Sequence, residues 1–432
     1  MVRIQSLLVL ALIATALGYK RYEGYKVLQV KPENEDQVHA LVKMNQVLGF
    51  EVDFWRDARA VGRNCDFMIP PEKESLVMDF LAYFGITPKV VVNDVSVMID
   101  RSMKEQQEKP KIDWKAVKAD PNQFPLDQYH THDDINAWLQ SVAATYSSFV
   151  TISSLGKTLQ GRDMLFLKIG TPKPNKNALW IDAGIHAREW VADATALYTI
   201  SQLVNGYSTK FKTLLDAIDI IIAPSVNPDG YEYSRLSDRN WRKTRSGPRQ
   251  GCYGVDPNRN WSFHWGESGV STSPCSDIYD GPSPFTEKNC QNMKAYLDAN
   301  NNTIKGMLTL HSYGEDWIYP WGYKTHTYPP DVNDLRALGL QAAAAIQAVH
   351  GTKYVVANSA DSLYPAAGAS DDYSKSIGIK WVYTVELRPG DGDTANDHQY
   401  GFNLPAKFII PTAEETFPGL MVVANRIMTG PN

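Results

Sequence analysis

Four cysteines in 432 residues are too few for a fold stapled together by disulfides. Beyond Gly18 no run is long and apolar enough to span a bilayer, which excludes a helical membrane protein as the mature form. Neither sign of charge dominates: 43 basic side chains stand against 48 acidic ones, a formal charge of −5. Nothing in that balance points to nucleic acid or an anionic membrane as a partner. Internal repeats and low-complexity tracts are also missing, so solenoids and disordered arrays are excluded. What is present is 43% hydrophobic content, ample for a large core shared by two or more folded units.

Met1–Gly18 carries Arg3, an apolar stretch from Leu7 to Leu17, and small residues at Ala14, Ala16 and Gly18. This is the pattern of a secretory signal peptide, and the mature protein is expected to be soluble and extracellular. From Tyr25 to Asn93 the chain reads strand, helix, strand, strand, helix, strand. Lys26–Val30 is the first strand, and Glu35–Leu48 has helical spacing with Asn34 and Gln37 placed as a start resembling a capping box. Val52–Trp55 and Phe67–Ile69 are short strands, Glu72–Phe84 is a second helix, and Lys89–Val92 a last strand. That order predicts a ferredoxin-like α+β sandwich over residues 19–95, with no catalytic cluster in it. Residues 96–120 form a charged connector, compatible with a helix that frays near Pro110 and open to a protease.

From residue 121 to 432, apolar runs alternate with helix-like segments. The runs are Phe149–Ile152, Met164–Leu167, Leu179–Ile181, Ile218–Ile222, Gly306–Leu310 and Trp381–Val385. The alternation predicts an α/β sandwich around a largely buried, mixed sheet.

One stretch in this unit gathers groups of a single chemistry. Ala178–Ile181 reads as a buried strand and Trp190–Leu203 as a helix; between them lies Asp182-Ala183-Gly184-Ile185-His186-Ala187-Arg188-Glu189. His186 and Glu189 are spaced so that a near-helical turn aims an imidazole nitrogen and a carboxylate oxygen at one point, where they can grip a metal. A catalytic zinc ordinarily takes three protein ligands and keeps a position for water, so a third ligand is needed. His311 fits, because it ends the run Gly306–Leu310 and precedes the turn signal Ser312-Tyr313-Gly314. Alone, a His-x-x-Glu pair is weak evidence and fits an ordinary satisfied or exposed pair better than a metal site. Four further clusters follow in order: Asn240-Trp241-Arg242-Lys243-Thr244-Arg245, Asp256-Pro257-Asn258-Arg259-Asn260-Trp261, the segment Tyr364–Asp372, and Thr384-Val385-Glu386-Leu387-Arg388. Glu386 ends an apolar strand, an environment that suits a tuned general base.

With these clusters in this order, the chain resembles the zinc metallocarboxypeptidases of the pancreatic A/B type in their secreted proenzyme form. The likeness runs from the N-terminal pattern through Tyr129-His130-Thr131 to Ile410–Glu415. It implies the carboxypeptidase fold, a mixed eight-stranded sheet sandwiched by helices, and one zinc held by His186, Glu189 and His311. Glu386 is then the general base, and Arg242 polarises the scissile carbonyl and supports the oxyanion. Asn258, Arg259 and Tyr364 match the family's clamp on the substrate's free carboxylate, with Arg188 a further contact along the peptide. Asp256 matches the carboxylate that fixes the tautomer of His186. Asp371 aligns with the floor of the terminal-residue pocket, where B-type enzymes carry aspartate, so Lys or Arg is the expected terminal residue. The resemblance pairs Cys252 with Cys275, leaving Cys65 and Cys290 as buried free thiols. Asn301 is the one sequon placed to carry a glycan.

The resemblance also implies partners: peptides with free C-termini, the chain's own propeptide, a trypsin-like activating protease, and proteinaceous carboxypeptidase inhibitors. The enzyme would act as a monomer. Cleavage could follow Arg101, Lys104, Lys111, Lys115 or Lys118, while Pro110 disfavours Lys109. Some positions depart from the family pattern. Gly322 stands where B-type relatives often have serine, Ala369 replaces a common glycine, and the loop Pro389–Tyr400 is longer and more acidic. Other readings remain open at this point: an A-type enzyme with apolar preference, a zinc amidohydrolase of small acylated amino acids, or a catalytically silent binding protein.

Overall fold

The computed structural model describes residues 19–58, 60–391 and 396–430. The expected signal peptide lies outside them, as does part of the acidic loop after Glu386.

Four short N-terminal strands make a sheet, and helices cover one of its faces. β1 (Lys26–Val30), β2 (Asp53–Arg56), β3 (Cys65–Ile69) and β4 (Lys89–Val92) form an antiparallel sheet in the order β2-β3-β1-β4. Leu41, Met44, Val77 and Leu81 from the helices pack onto Leu28, Phe67 and Ile69 of the sheet. The result is the ferredoxin-like sandwich expected from the element order. Asn34 caps the first helix by accepting from Gln37 N at 3.0 Å, but the Gln37 side chain accepts from Glu33 N, so the box is only half made. The helix expected over Glu35–Leu48 is two pieces, Glu35–Val42 and Met44–Leu48, because Lys43 leaves helical geometry at φ −90°, ψ 3°.

In the large unit, β5 (Val150–Lys157), β6 (Asp163–Ile169), β7 (Ala178–Ala183), β8 (Asp219–Ala223), β9 (Ile304–Ser312), β10 (Asp316–Tyr319), β11 (Val355–Asn358) and β12 (Trp381–Leu387) form one sheet. Its order is β11-β10-β12-β9-β7-β8-β6-β5. β12, β9, β7 and β8 are a parallel block, while antiparallel pairs flank it, so the sheet is mixed as expected. Every residue of β7 is buried, in keeping with the apolar run Ala178–Ile181 that opens it. One face is covered by helices that include Trp190–Asn205, Val332–His350 and Ile409–Thr429. Cys290, Met293 and Leu297 of the helix Lys288–Asn300, with Tyr373, cover the other.

The connector contains a helix, Val95–Glu108, then a break at Pro110, then the helix Trp114–Ala119. Val117 of the second helix is buried in the large unit's core with Phe124 and Trp138, and Ile112 and Trp114 pack against it. Cys252 and Cys275 form the disulfide, and Cys65 and Cys290 are buried free thiols.

Candidate active site at the carboxyl ends of three parallel strands

Because β7, β9 and β12 run parallel, their C-terminal ends come out at one edge, the place where open α/β sheets bind ligands. Register fixes what meets there. Ala183 pairs with Leu310, so His311 is the next residue along β9, and His311 pairs with Glu386 across β9 and β12. After β7 the chain must turn sharply toward the helix at Trp190. Gly184 makes this possible with φ +72°, where a Cβ would lie 2.6 Å from the Asp193 carboxylate. His186 to Glu189 then form a turn closed by Glu189 N donating to His186 O at 3.3 Å.

Three buried donors converge on one point. His186 Nδ1 lies 2.8 Å from Glu189 Oε1, His311 Nδ1 lies 3.1 Å from Glu189 Oε2, and the two Nδ1 atoms are 3.1 Å apart. No other group of this kind is found among the described residues. Two imidazole nitrogens and a carboxylate facing one another in a buried site fit a single bound cation, and the donor set suits zinc. The other ring nitrogen of His186, Nε2, lies 3.1 Å from Asp256 Oδ1, which leaves the Nδ1 lone pair aimed at the cluster.

Asp256 is the hub of the site. Its Oδ1 also accepts from Asn258 N at 2.9 Å, and its Oδ2 accepts from Arg242 Nε and Nη2, both at 3.0 Å. Burial would raise its pKa, but the charges of Arg242 and His186 outweigh burial and hold it well below the usual carboxylate range. Arg259 Nη2 donates to the Tyr364 hydroxyl at 2.5 Å, and Ser370 N donates to Asn258 Oδ1 at 2.9 Å. Burial pushes the Tyr364 hydroxyl up to about 12, against the opposing charge of Arg259. Arg242, Asn258, Arg259, Tyr364 and Glu386 therefore line one cavity with the three metal-type donors.

Asp371 and Thr384 form the inner wall of that cavity, with the Thr384 hydroxyl donating to Asp371 Oδ2 at 3.0 Å. Asp372 is engaged differently. It accepts from Gly322 N at 2.8 and 3.0 Å and from Tyr323 N at 3.0 Å, fixing the segment that brings Gly322 to the cavity wall. Burial and the adjacent Asp371 push its pKa well up, which those N–H bonds partly offset. A Cβ at Gly322 would come 3.1 Å from Ser359 Oγ, so the hydroxyl that relatives place at 322 would crowd the one Ser359 already brings to the cavity.

Arg188 is elsewhere in its allegiance. It is buried under the N-terminal sandwich, with Nη1 3.0 Å from Asp53 Oδ1 and 3.6 Å from Asp277. Trp55, Arg56 and Asp57 of the same segment line the main cavity, which the sequence did not suggest. Thr384, Ser312 and Tyr313 were also missed. Thr384 had a signal: period-two alternation puts it on the face of Glu386.

Comparison with known proteins settles the family. Residues 135–419 match the model for zinc carboxypeptidase, peptidase M14, and residues 28–102 match the carboxypeptidase activation peptide. The chain belongs to the M14 zinc carboxypeptidases. Carboxypeptidase B of Astacus astacus is 47% identical over 300 residues, 69% of this chain and 96% of that one. Carboxypeptidase A2 of Rattus norvegicus is 37% identical over 427 residues, 97% of this chain and 99% of that one. The crystal structure of carboxypeptidase A from Helicoverpa armigera superposes with a TM-score of 0.85 at 30% identity, covering 95% of this chain and 99% of that one. This carboxypeptidase thus carries an activation peptide, and A and B names both occur among its relatives. No helix among the described residues is long and apolar enough to cross a membrane.

Proposed function

We propose that this metallocarboxypeptidase is a secreted proenzyme that, once cut by a trypsin-like protease, removes C-terminal Lys or Arg from peptides. The observation that carries the basic preference is the division of labour between two aspartates. Asp372 is committed to backbone N–H groups of the wall, while Asp371 presents its carboxylate to the cavity from a 3% exposed position. A cationic terminal side chain entering there is paired, and an apolar one leaves a buried carboxylate unmatched.

His186, Glu189 and His311 would hold the zinc, which supplies Lewis acidity that lowers the pKa of water to roughly 7 and offsets negative charge at the carbonyl. Asn258, Arg259 and Tyr364 bind the substrate's terminal carboxylate, so the peptide is read from its free end. Glu386 takes a proton from the attacking water as the new C–O bond forms, and gives it to the amide nitrogen as the C–N bond breaks. The Arg242 guanidinium, held in place by Asp256, donates to the carbonyl oxygen as it becomes an oxyanion. In the intact chain Asp53 pairs with Arg188, and Trp55 and Asp57 line the cavity beside the metal-type donors, which supports latency of the uncut chain.

The test is hydrolysis of matched peptides ending in Lys, Arg, Leu or Phe by the trypsin-treated protein, with and without a zinc chelator. Chelator-sensitive release of Lys and Arg is expected. Preferential release of Leu or Phe would move the enzyme to the A type, and release that ignores the chelator would sink the metal mechanism.

A further inference from the structure

Among the described residues, two arginines of the activation domain reach carboxylates of the catalytic unit. Arg56, its side chain 1% exposed, reaches Asp391 at 2.6 Å but also has Asp66 of its own domain at 3.3 Å. Arg63 differs, because its Nη2 lies 2.7 Å from Asp316 Oδ1, a carboxylate on the catalytic sheet whose side chain is 0% exposed. The position of Asp316 is the notable point. In the β10–β12 ladder it stands directly opposite Glu386, and Ile318 stands opposite Thr384. Residues opposed across an antiparallel pair share one face, so Asp316 lies beside Glu386 on the face that forms the active site.

Distance along the strands then assigns a place on the substrate. Ile318 and Thr384 belong to the terminal-residue pocket with Asp371. Asp316 and Glu386 lie two residues further along, about 7 Å away. An extended peptide rises about 3.4 Å per residue. Its terminal side chain in the pocket therefore brings the scissile bond to Glu386 and the one or two preceding residues to the level of Asp316. In the proenzyme a guanidinium already sits there, so the chemistry of the ligand is displayed by Arg63 itself.

We propose that Asp316 is a second acidic subsite, which selects a basic side chain on the one or two residues preceding the scissile bond and which Arg63 fills until the activation peptide leaves. The proposal rests on the exopeptidase reading above. Removing the activation domain withdraws the guanidinium from a carboxylate seated beside the cleft, and a substrate Arg or Lys restores the pair. A substrate Glu at the same place meets like charge and is disfavoured.

The experiment uses the trypsin-activated enzyme on N-blocked peptides ending in Lys, Arg, Leu or Phe, with Arg, Ala or Glu at the penultimate or the preceding position. Arg should raise kcat/KM over Ala by about fivefold at one of the two positions, the ratio for a partly screened ion pair. Glu should lower it, and added salt should shrink both effects. Asp316→Asn should bring the Arg-to-Ala ratio close to one. Peptides that are cleaved with no dependence on these positions would overturn the subsite while leaving the exopeptidase intact, as would an undiminished ratio in Asp316→Asn. Failure to cleave any of the peptides would refute the exopeptidase reading and the subsite with it.

Discussion

Replacing Asp371 by leucine should reverse the proposed terminal-residue preference. In the structure this carboxylate is 3% exposed, and it accepts a hydrogen bond from Thr384 Oγ1 at 3.0 Å. A lysine or arginine entering the pocket is desolvated there, and Asp372 is already committed to Gly322 and Tyr323. Without Asp371 the substrate's charge is buried unpaired, which costs about 3 kcal/mol, roughly a hundredfold in kcat/KM. A terminal leucine would gain about tenfold, because the wall it touches becomes apolar. Loss of the Thr384 bond should cost only about 1 kcal/mol of stability. The assay is kcat/KM on paired peptides differing only in terminal Lys or Leu, read as a ratio so that partial inactivation cancels. Two results would refute the reasoning: a ratio that moves by less than about threefold, or loss of Lys preference in Asp372→Asn rather than in Asp371→Leu.

Two further outcomes follow from the connector and its neighbourhood. The first tryptic cut should fall after Lys111, giving a large fragment that begins at Ile112. Lys111 is exposed and outside helices, whereas Arg101, Lys104, Lys115 and Lys118 lie within them and Lys109 donates to Tyr129 O. N-terminal sequencing of the early product decides this, and a first cut after Lys118 would mean that the helix Trp114–Ala119 frays before the loop is taken. The second outcome concerns His130, whose Nε2 lies 2.6 Å from Pro125 O and whose ring packs 4.1 Å from Phe124. Burial pushes its pKa down to about 4, with Lys109 and Arg235 adding to the effect and the Pro125 carbonyl opposing it. Since the unfolded value is near 6.5, the native state binds fewer protons below it. Stability is then unaffected above pH 6.5 and falls by up to about 3 kcal/mol as pH drops toward 4. Thermal melts of the proenzyme against pH should therefore fall more steeply in that window than those of His130→Phe, and parallel curves would sink the assignment.

Much of this was legible in the sequence because the signals were local. His311 and Glu386 each follow an apolar run and His186 lies in the turn just after one, and parallel strands that end together bring such residues together. The activation domain was equally plain, since short apolar runs and stretches of helical spacing follow one another along it in the order of its strands and helices. The connections made by register and by long-range pairing were not legible. Asp256 shares its oxygens among His186, Asn258 and Arg242, and nothing in the spacing of those residues says so. Arg188 reads as a substrate contact in its motif, yet in the intact chain it is claimed by Asp53, 135 residues away. Asp316 looks like one acidic residue among several until β10 is aligned with β12. The segment after Pro110 reads as a charged linker because its helix presents a single fully buried residue, Val117, to the core.

The activation domain also answers the charges of the site in kind. A carboxylate, Asp53, occupies Arg188, which by family likeness contacts the peptide, and a guanidinium, Arg63, occupies the carboxylate beside Glu386. Apolar contact adds to this, with Trp55 packed 5.5 Å from Phe402 and the Arg188 guanidinium 4.1 Å above the same ring. A cut in the connector severs the covalent link and breaks none of these contacts. Cleavage thus turns an intramolecular inhibitor into a separate one whose hold depends on concentration. The ion pairs make that hold sensitive to salt, while the buried Arg56 and Trp55 make it persist. Occupation of the cleft by groups of both signs is thus the physical reason that the proenzyme can be fully folded, with its metal-type donors assembled, and still be closed to substrate.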